Sequence, residues 1–450
     1  MSIFKSSRGS VGFALLVLAA TGCVSGVVAT SDTPLTEPSP NATSFPVDCG
    51  NGRLDAGEFC DPTAASFAPV ACTSLGSVYK GGTAGCRSDC RGYDTSSCVS
   101  NQVASGQSGQ YVIPKLRDPS SFGESMCSSG EPFAFKLSLS PTKSKNWVIF
   151  LGGGGLCDGT VVPCTDRNTG AFKPMSSAEN AFTTWGEDAS GVTSRDPAEN
   201  PTFWDANFVV ASYCTNDLWS GTNTVPRNVM VGPSSNPSPR PLVFTGRRAV
   251  QSIFGSLNRY FGLDDRDPNT RVLFTGNSAG SDGMQNTADV AVDALPSAAA
   301  SQRIWFVSSA GYMLANWNEP NYTLMGNGIS DTLNAQTEAA IYKTEYSAGC
   351  LAVTKAAGQD PTACLSGLWN YRTMTQYYKQ NRYLVFKNRQ DQVYMSFQMI
   401  PFESSTISSA DEAARQLWAD KTTDELAEVR WAMAPSDPLV KTATVLQDNL

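Results

Sequence analysis

Residues 272–283 read VLFTGNSAGSDG and set Ser278 in a G-x-S-x-G pattern, Gly276 to Gly280. Small neighbours suit a serine on a sharp turn from strand to helix, where its hydroxyl stands exposed as a nucleophile. Four β-favouring residues precede it, and Ser281 to Leu295 can continue as a helix. A hydroxyl needs a base to take its proton, and histidine is the usual one. The chain has no histidine among its 450 residues. With 38 glycines present, chance occurrence of the pattern in a loop is the competing reading.

A second stretch, GGGGLC (Gly152 to Cys157), follows the apolar run WVIFL. Glycines after a strand let backbone N–H groups approach a ligand, and an oxyanion hole combines such a loop with the N–H after the nucleophile. Gly154, Gly155 and Ala279 are the natural donors, against the alternative of a flexible strand-end turn. A third stretch, ASYCTNDLWSG (Ala211 to Gly221), puts a cysteine directly after a strand. It reads as a pinned functional loop or as a disulfide-held surface turn over Trp219.

Positioning these stretches requires a sheet. Trp147–Leu151, Asn207–Tyr213, Arg271–Thr275, Arg303–Ser309 and Tyr383–Lys387 read as buried strands. Between them lie amphipathic helices, the clearest with Val250, Ile253, Phe254, Leu257 and Phe261 on one face after Arg247 and Arg248. Ser409 to Met433 is a further helical stretch. The alternation predicts an α/β domain with a mainly parallel sheet flanked by helices over residues 121–450.

Residues 1–22 carry Lys5 and Arg8, an apolar run from Val11 to Ala20 and small residues before Cys23, the layout of an export signal. The Ala-Thr-Gly-Cys ending resembles a lipobox, so Cys23 is the expected lipidation site of an outer-membrane lipoprotein; plain secretion is the alternative. Residues 23–48 are a Ser/Thr/Pro-rich tether, and 99–120 a second linker. Between them, Cys49, Cys60, Cys72, Cys86, Cys90 and Cys98 define a disulfide-rich module over 49–98 whose pairing the sequence leaves open. So small a unit leans on its bridges, each worth about 2–4 kcal/mol. Zinc is disfavoured in an oxidising compartment, and a calcium site on Asp55, Glu58 and Asp61 lacks a recognisable loop spacing. A net charge of −8 without a basic run excludes a nucleic-acid binder.

The opening CGNGRLDAGEFCD, with the later CRSDC and SSC, resembles a cysteine-rich repeat of exported bacterial proteins, which implies a spacer or surface-binding module. FLGGGGLC, YCTNDLWSG, GNSAG and NPTFWDANFVVASYC together resemble the pectin acetylesterase and Notum family of extracellular carboxylesterases, from about Cys127 onward. The resemblance implies an α/β-hydrolase-like fold, removal of small acyl groups from carbohydrate or protein, and no cofactor or metal. It assigns the nucleophile to Ser278, the oxyanion donors to Gly154, Gly155 and Ala279, and the triad acid to Asp391, after the strand ending at Lys387. A salt-bridged or solvated Asp391 is the competing reading. The resemblance further implies disulfides Cys127–Cys214, Cys157–Cys164 and Cys350–Cys364.

The sequence departs from the family pattern where Gly152 replaces a glutamate, an aromatic is missing from the glycine loop, and Ser309 replaces an aspartate. The family's histidine, downstream of the acid and near a cysteine, has no counterpart before Leu450. Truncation or a frameshift is the favoured expectation, because the elbow, glycine loop and acid are all retained; loss of the base in a binder is the other. Nothing in the sequence singles out Lys387 or any other lysine as a substitute base. The expected function is acyl-ester hydrolysis on an acylated carbohydrate, impaired without the base. The alternatives are a catalytically inactive glycan- or lipid-binding surface lipoprotein and a purely structural one.

Overall fold

The computed structural model describes residues 48–76, 78–100, 125–156, 191–231, 236, 238–311, 314–315, 317, 319–323, 331–378, 381–401, 407–432 and 442–447. The export signal, nearly all of the tether, Cys23, most of the second linker and the Cys157–Cys164 pair lie outside them.

Apolar residues alternate to both faces of a seven-stranded sheet whose order is β9-β8-β7-β6-β2-β3-β1. The strands are β1 (Phe135–Ser138), β2 (Asn146–Leu151), β3 (Asn207–Ala211), β6 (Arg271–Asn277), β7 (Ile304–Ser309), β8 (Arg382–Asn388) and β9 (Thr442–Gln447). All neighbouring pairs are parallel except β1 with β3. Trp147, Ile149 and Leu151 join the main core with Phe274 and Phe306, while Val148 and Leu273 face a second cluster with Phe208. Strands covered on both faces are what near-continuous apolar runs demand. This is the expected α/β-hydrolase-like architecture.

A two-stranded hairpin, β4 (Asn223–Val231) with β5 (Ser238–Phe244), leads into α1 (Gly246–Tyr260). The predicted stripe of Val250, Ile253, Phe254 and Leu257 is fully buried, with Phe254 edge-on to Phe274 at 5.3 Å. The helix expected over 281–295 is divided into α2 (Ala279–Asn286) and α3 (Ala288–Ala294). At the break the Thr287 hydroxyl donates to the Gly283 carbonyl at 2.6 Å, back-bonding that bends helices. Beyond a short α-helical turn at Pro296–Ala300, the remaining α-helices among the described residues are α4 (Asp331–Tyr342), α5 (Ala348–Ala356), α6 (Gly367–Gln376), α7 (Gln392–Phe397) and α8 (Ser409–Ala432).

The module is closed by Cys49–Cys90, Cys60–Cys86 and Cys72–Cys98. The module packs on the end of α1. Phe59 meets Tyr260 edge-on at 5.4 Å, Tyr79 stacks on Phe261, and Arg87 donates to the carbonyls of Asn258 and Leu263. Gly92 lies so close to the Asn258–Arg259 backbone that a Cβ would collide with it. Aromatic side chains supply the apolar area that so small a unit cannot bury alone. Of the acidic trio, Asp61 accepts from the N–H groups of Gly50, Thr63 and Ala64 and from the Thr63 hydroxyl, so its oxygens are committed to the turn.

Candidate active site

Ser278 sits between β6 and α2 at φ 53° and ψ −128°, a region that L-residues rarely adopt. Such strain persists only where the surroundings over-determine it. Here the Ser278 N–H donates to the Ser309 carbonyl at 3.0 Å, and its own carbonyl accepts from Ser281 and Asp282. Gly276 and Gly280 are so close that a Cβ on the first would overlap the carbonyl of the second, and a Cβ on Gly280 would strike the Leu151 carbonyl. The two glycines of the pattern therefore let helix, elbow and β2 converge. Ser278 is half-buried, and no partner for its hydroxyl is present among the described residues.

The glycine loop closes on this elbow. A Cβ on Gly153 would stand 2.9 Å from the Ser278 Cβ and 3.2 Å from the Ala279 nitrogen. Gly154 lies against the Tyr213 ring, and Gly155 has φ +83°. Among the described residues the N–H groups of Gly153, Gly154, Gly155 and Ala279 have no acceptor. Unpaired donors beside a half-buried hydroxyl suit an oxygen that gains negative charge.

Loop 211–221 is buried rather than a surface turn. Asn216, Leu218 and Trp219 all have positive φ, and Asp217 and Trp219 are inaccessible to solvent. The Trp219 indole donates to the Gly152 carbonyl at 3.2 Å, and Asn286 of α2 donates to the Leu218 carbonyl at 3.0 Å. The loop thus ties the glycine turn to the helix behind the elbow. Asp217 accepts from the Gly246 and Trp219 N–H groups at the start of α1 and in the loop itself. Two of the resemblance-derived disulfides are present, Cys127–Cys214 and Cys350–Cys364.

Asp391 leaves the sheet at the same carboxyl edge, because β6, β7 and β8 run parallel. It caps α7, its Oδ1 accepting from the Val393 and Tyr394 N–H groups at 3.1 Å each. Its Oδ2 accepts from Lys387 Nζ at 3.0 Å. Lys387 Nζ also lies 3.9 Å above the Tyr394 ring, whose hydroxyl donates to Asp282 Oδ2 at 2.5 Å. Asp282, Lys387 and Tyr394 went unmarked in the sequence reading. The available signal was a lysine on the inward alternation of β8, after Tyr383 and Val385, four residues before an acid.

Burial pushes both Asp217 and Asp282 up to about 6; the Gly246 and Trp219 N–H groups oppose this at the first, the Tyr394 hydroxyl and the charge of Lys387 at the second. A carboxyl that binds its proton more tightly when folded makes stability fall as pH rises from the unfolded value, about 4, to about 6. Each group contributes up to roughly 3 kcal/mol in that window. Asp360, held below its ordinary value by the Thr362 hydroxyl and N–H, acts only at lower pH. Urea unfolding will therefore show a more stable chain at pH about 4.5 than at pH about 7, and a flat or rising profile between them refutes the assignment.

The pectinacetylesterase family model matches residues 113–365, more than half of the chain. The chain belongs to the pectinacetylesterase family. The match includes the glycine loop, loop 211–221 and the elbow, and it ends before Asp391. Among curated relatives, the palmitoleoyl-protein carboxylesterase notum1' of Xenopus laevis is 32% identical over 171 residues, 38% of this chain and 30% of that protein. The inactive palmitoleoyl-protein carboxylesterase notum1b of Danio rerio is 35% identical over 96 residues, 21% of this chain and 66% of that protein. The chain thus covers less than a third of the first relative and just under two thirds of the second. The solved structure of the Wnt deacylase Notum from Drosophila matches with a TM-score of 0.53 at 19% identity, covering 76% of this chain and 83% of that one. This pectinacetylesterase-family chain therefore has a Notum-like α/β-hydrolase fold.

Proposed function

We propose that the chain is an exported serine carboxylesterase that removes small acyl groups, acetyl foremost, from a carbohydrate polymer. Ser278 attacks the ester carbonyl, the N–H groups of Gly154, Gly155 and Ala279 hold the oxyanion, and Asp391 is the acid. The observation that carries the reading is the strained half-buried serine beside N–H groups without acceptors. Membership of the family supports it. The ten disulfide-bonded cysteines among the described residues support export, with anchoring through Cys23 as part of the same reading. A net charge of −8 favours acetylated neutral glycans over a polyanionic pectin.

No histidine is available in these 450 residues to serve as base. A positioned base is worth about 10²–10⁴ in rate, whereas an oxyanion hole with binding retains about 10³–10⁴ over water. The chain is accordingly a slow esterase. The second reading, a glycan- or lipid-binding protein without turnover, draws on the missing histidine and on the relative whose name marks it inactive. Release of p-nitrophenol from p-nitrophenyl acetate, and of acetate from acetylated xylan, by native and Ser278→Ala chains separates the two. Slow release above buffer that Ser278→Ala lacks supports the esterase; indistinguishable chains that still retain the glycan support the binder.

A further inference from the structure

Asp391 already has a cation. In a serine-hydrolase triad the acid uses its charge to orient the base and to stabilise it once protonated. Here the carboxylate that the proposed function names as that acid is bound at both oxygens, Oδ1 by two backbone N–H groups and Oδ2 by Lys387 Nζ at 3.0 Å. The Lys387 side chain is completely buried and that of Asp391 is 8% exposed, so water screens the pair weakly. Lys387 has no route to solvent along β8, because Tyr383, Val385 and Lys387 all point to the buried side of the strand. Burial pushes its ammonium down, and Asp391 and Asp282 push back. The groups facing it are Asp391 and Tyr394 at α7 and Asp282 from α2, so an unpaired ammonium here would be costly.

We propose that Lys387 is a positioning residue that neutralises Asp391: it fixes the carboxylate at the start of α7 and cancels most of the charge on which a base beside Ser278 would draw. The inference rests on reading Asp391 as the acid. It makes the pair a brake on the site, since a base facing a neutral ion pair gains less basicity than one facing a lone carboxylate.

Two measurements on the full chain test this. The first is a urea-unfolding cycle of native, Lys387→Gln, Asp391→Asn and the double variant. Each single change is expected to lower the folding constant by about 100-fold, and the double variant to lose much less than the product. Additive losses overturn the proposal. The second is imidazole-dependent release of p-nitrophenol, corrected by Ser278→Ala. Lys387→Gln is expected to respond about ten-fold more strongly than the native chain, and Lys387→Arg, which keeps the charge, to respond like it. Equal responses of the Gln and Arg chains also overturn it. If no chain shows Ser278-dependent release, the esterase reading fails instead and the unfolding cycle alone decides the pair. Should Lys387→Gln not fold, Lys387→Met, neutral, apolar and of similar length, takes its place in both measurements with the same expected outcomes.

Discussion

Ser278→Gly is expected to unfold at a higher urea concentration than the native chain while releasing p-nitrophenol from its acetate ester more slowly than that chain. The two effects have one cause. At φ 53° and ψ −128° a serine is held where glycine rests without strain, and such backbone positions cost about 1–3 kcal/mol. Glycine gives back about 0.4–1 kcal/mol through the greater freedom of its unfolded chain. The net gain is about 1 kcal/mol, obtained by deleting the nucleophile. Ser278→Ala keeps the strained conformation and shares the loss of activity without the gain. If Ser278→Gly is less stable than Ser278→Ala, the strain is not stored at this residue. If either variant still cleaves the ester at the native rate, the nucleophile lies elsewhere.

The elements around this serine were legible because their signals are local. Apolar runs at Trp147–Leu151 and Arg271–Thr275 have the length and the β-branched and aromatic content of strands buried on both faces, and that pattern placed five of the seven strands of the sheet. The stripe from Val250 to Leu257 likewise needed only helical spacing. What escaped were elements whose identity depends on partners. Phe135–Ser138 is a strand because β3 offers it an antiparallel edge, and Thr442–Gln447 because β8 offers a parallel one. The kink at Thr287 arises from a single hydroxyl.

Legibility at the candidate site divides along the same line. The G-x-S-x-G turn and the glycine loop announce themselves, since only glycine tolerates the contacts of Gly276, Gly280 and Gly153. Asp391 could be named from the family resemblance, but not its partner. One of the readings left open for it was a salt bridge, and that bridge is present. The spelling YLVFKNRQDQVY sets Lys387 on the same alternation as Tyr383 and Val385, but it does not show that this face stays covered at the end of the strand. The alternation of β8 buries Lys387, and α7 then brings Tyr394 over it and Asp391 against it. Charge placement is a property of the fold, legible only once the neighbouring strands are in register.

The largest loss of stability is expected from opening Cys127–Cys214, and its effect on rate tests whether loop 211–221 braces the site. The bridge spans 87 residues, for which loop-closure entropy predicts about 4–5 kcal/mol, with engineered and native cases ranging over about 2–5. Cys214 also holds the Ser128 N–H through its carbonyl, and the adjoining Tyr213 lies against Gly154 while its hydroxyl accepts from the Leu218 N–H. Freeing this strand end loosens the glycine loop from one side and the Trp219 contact to Gly152 from the other. Cys127→Ala with Cys214→Ala is therefore expected to lose several kcal/mol in urea unfolding, about 2–5, and to lower Ser278-dependent ester cleavage about ten-fold or more at temperatures where the chain remains folded. Cys350→Ala with Cys364→Ala, which opens a bridge of 14 residues between α5 and the turn before α6, is the control. It should cost no more than about 3 kcal/mol and leave the rate of the folded chain unchanged. Equal falls in rate for the two pairs would mean that the activity follows global stability and that the buried loop does not hold the glycine turn in place.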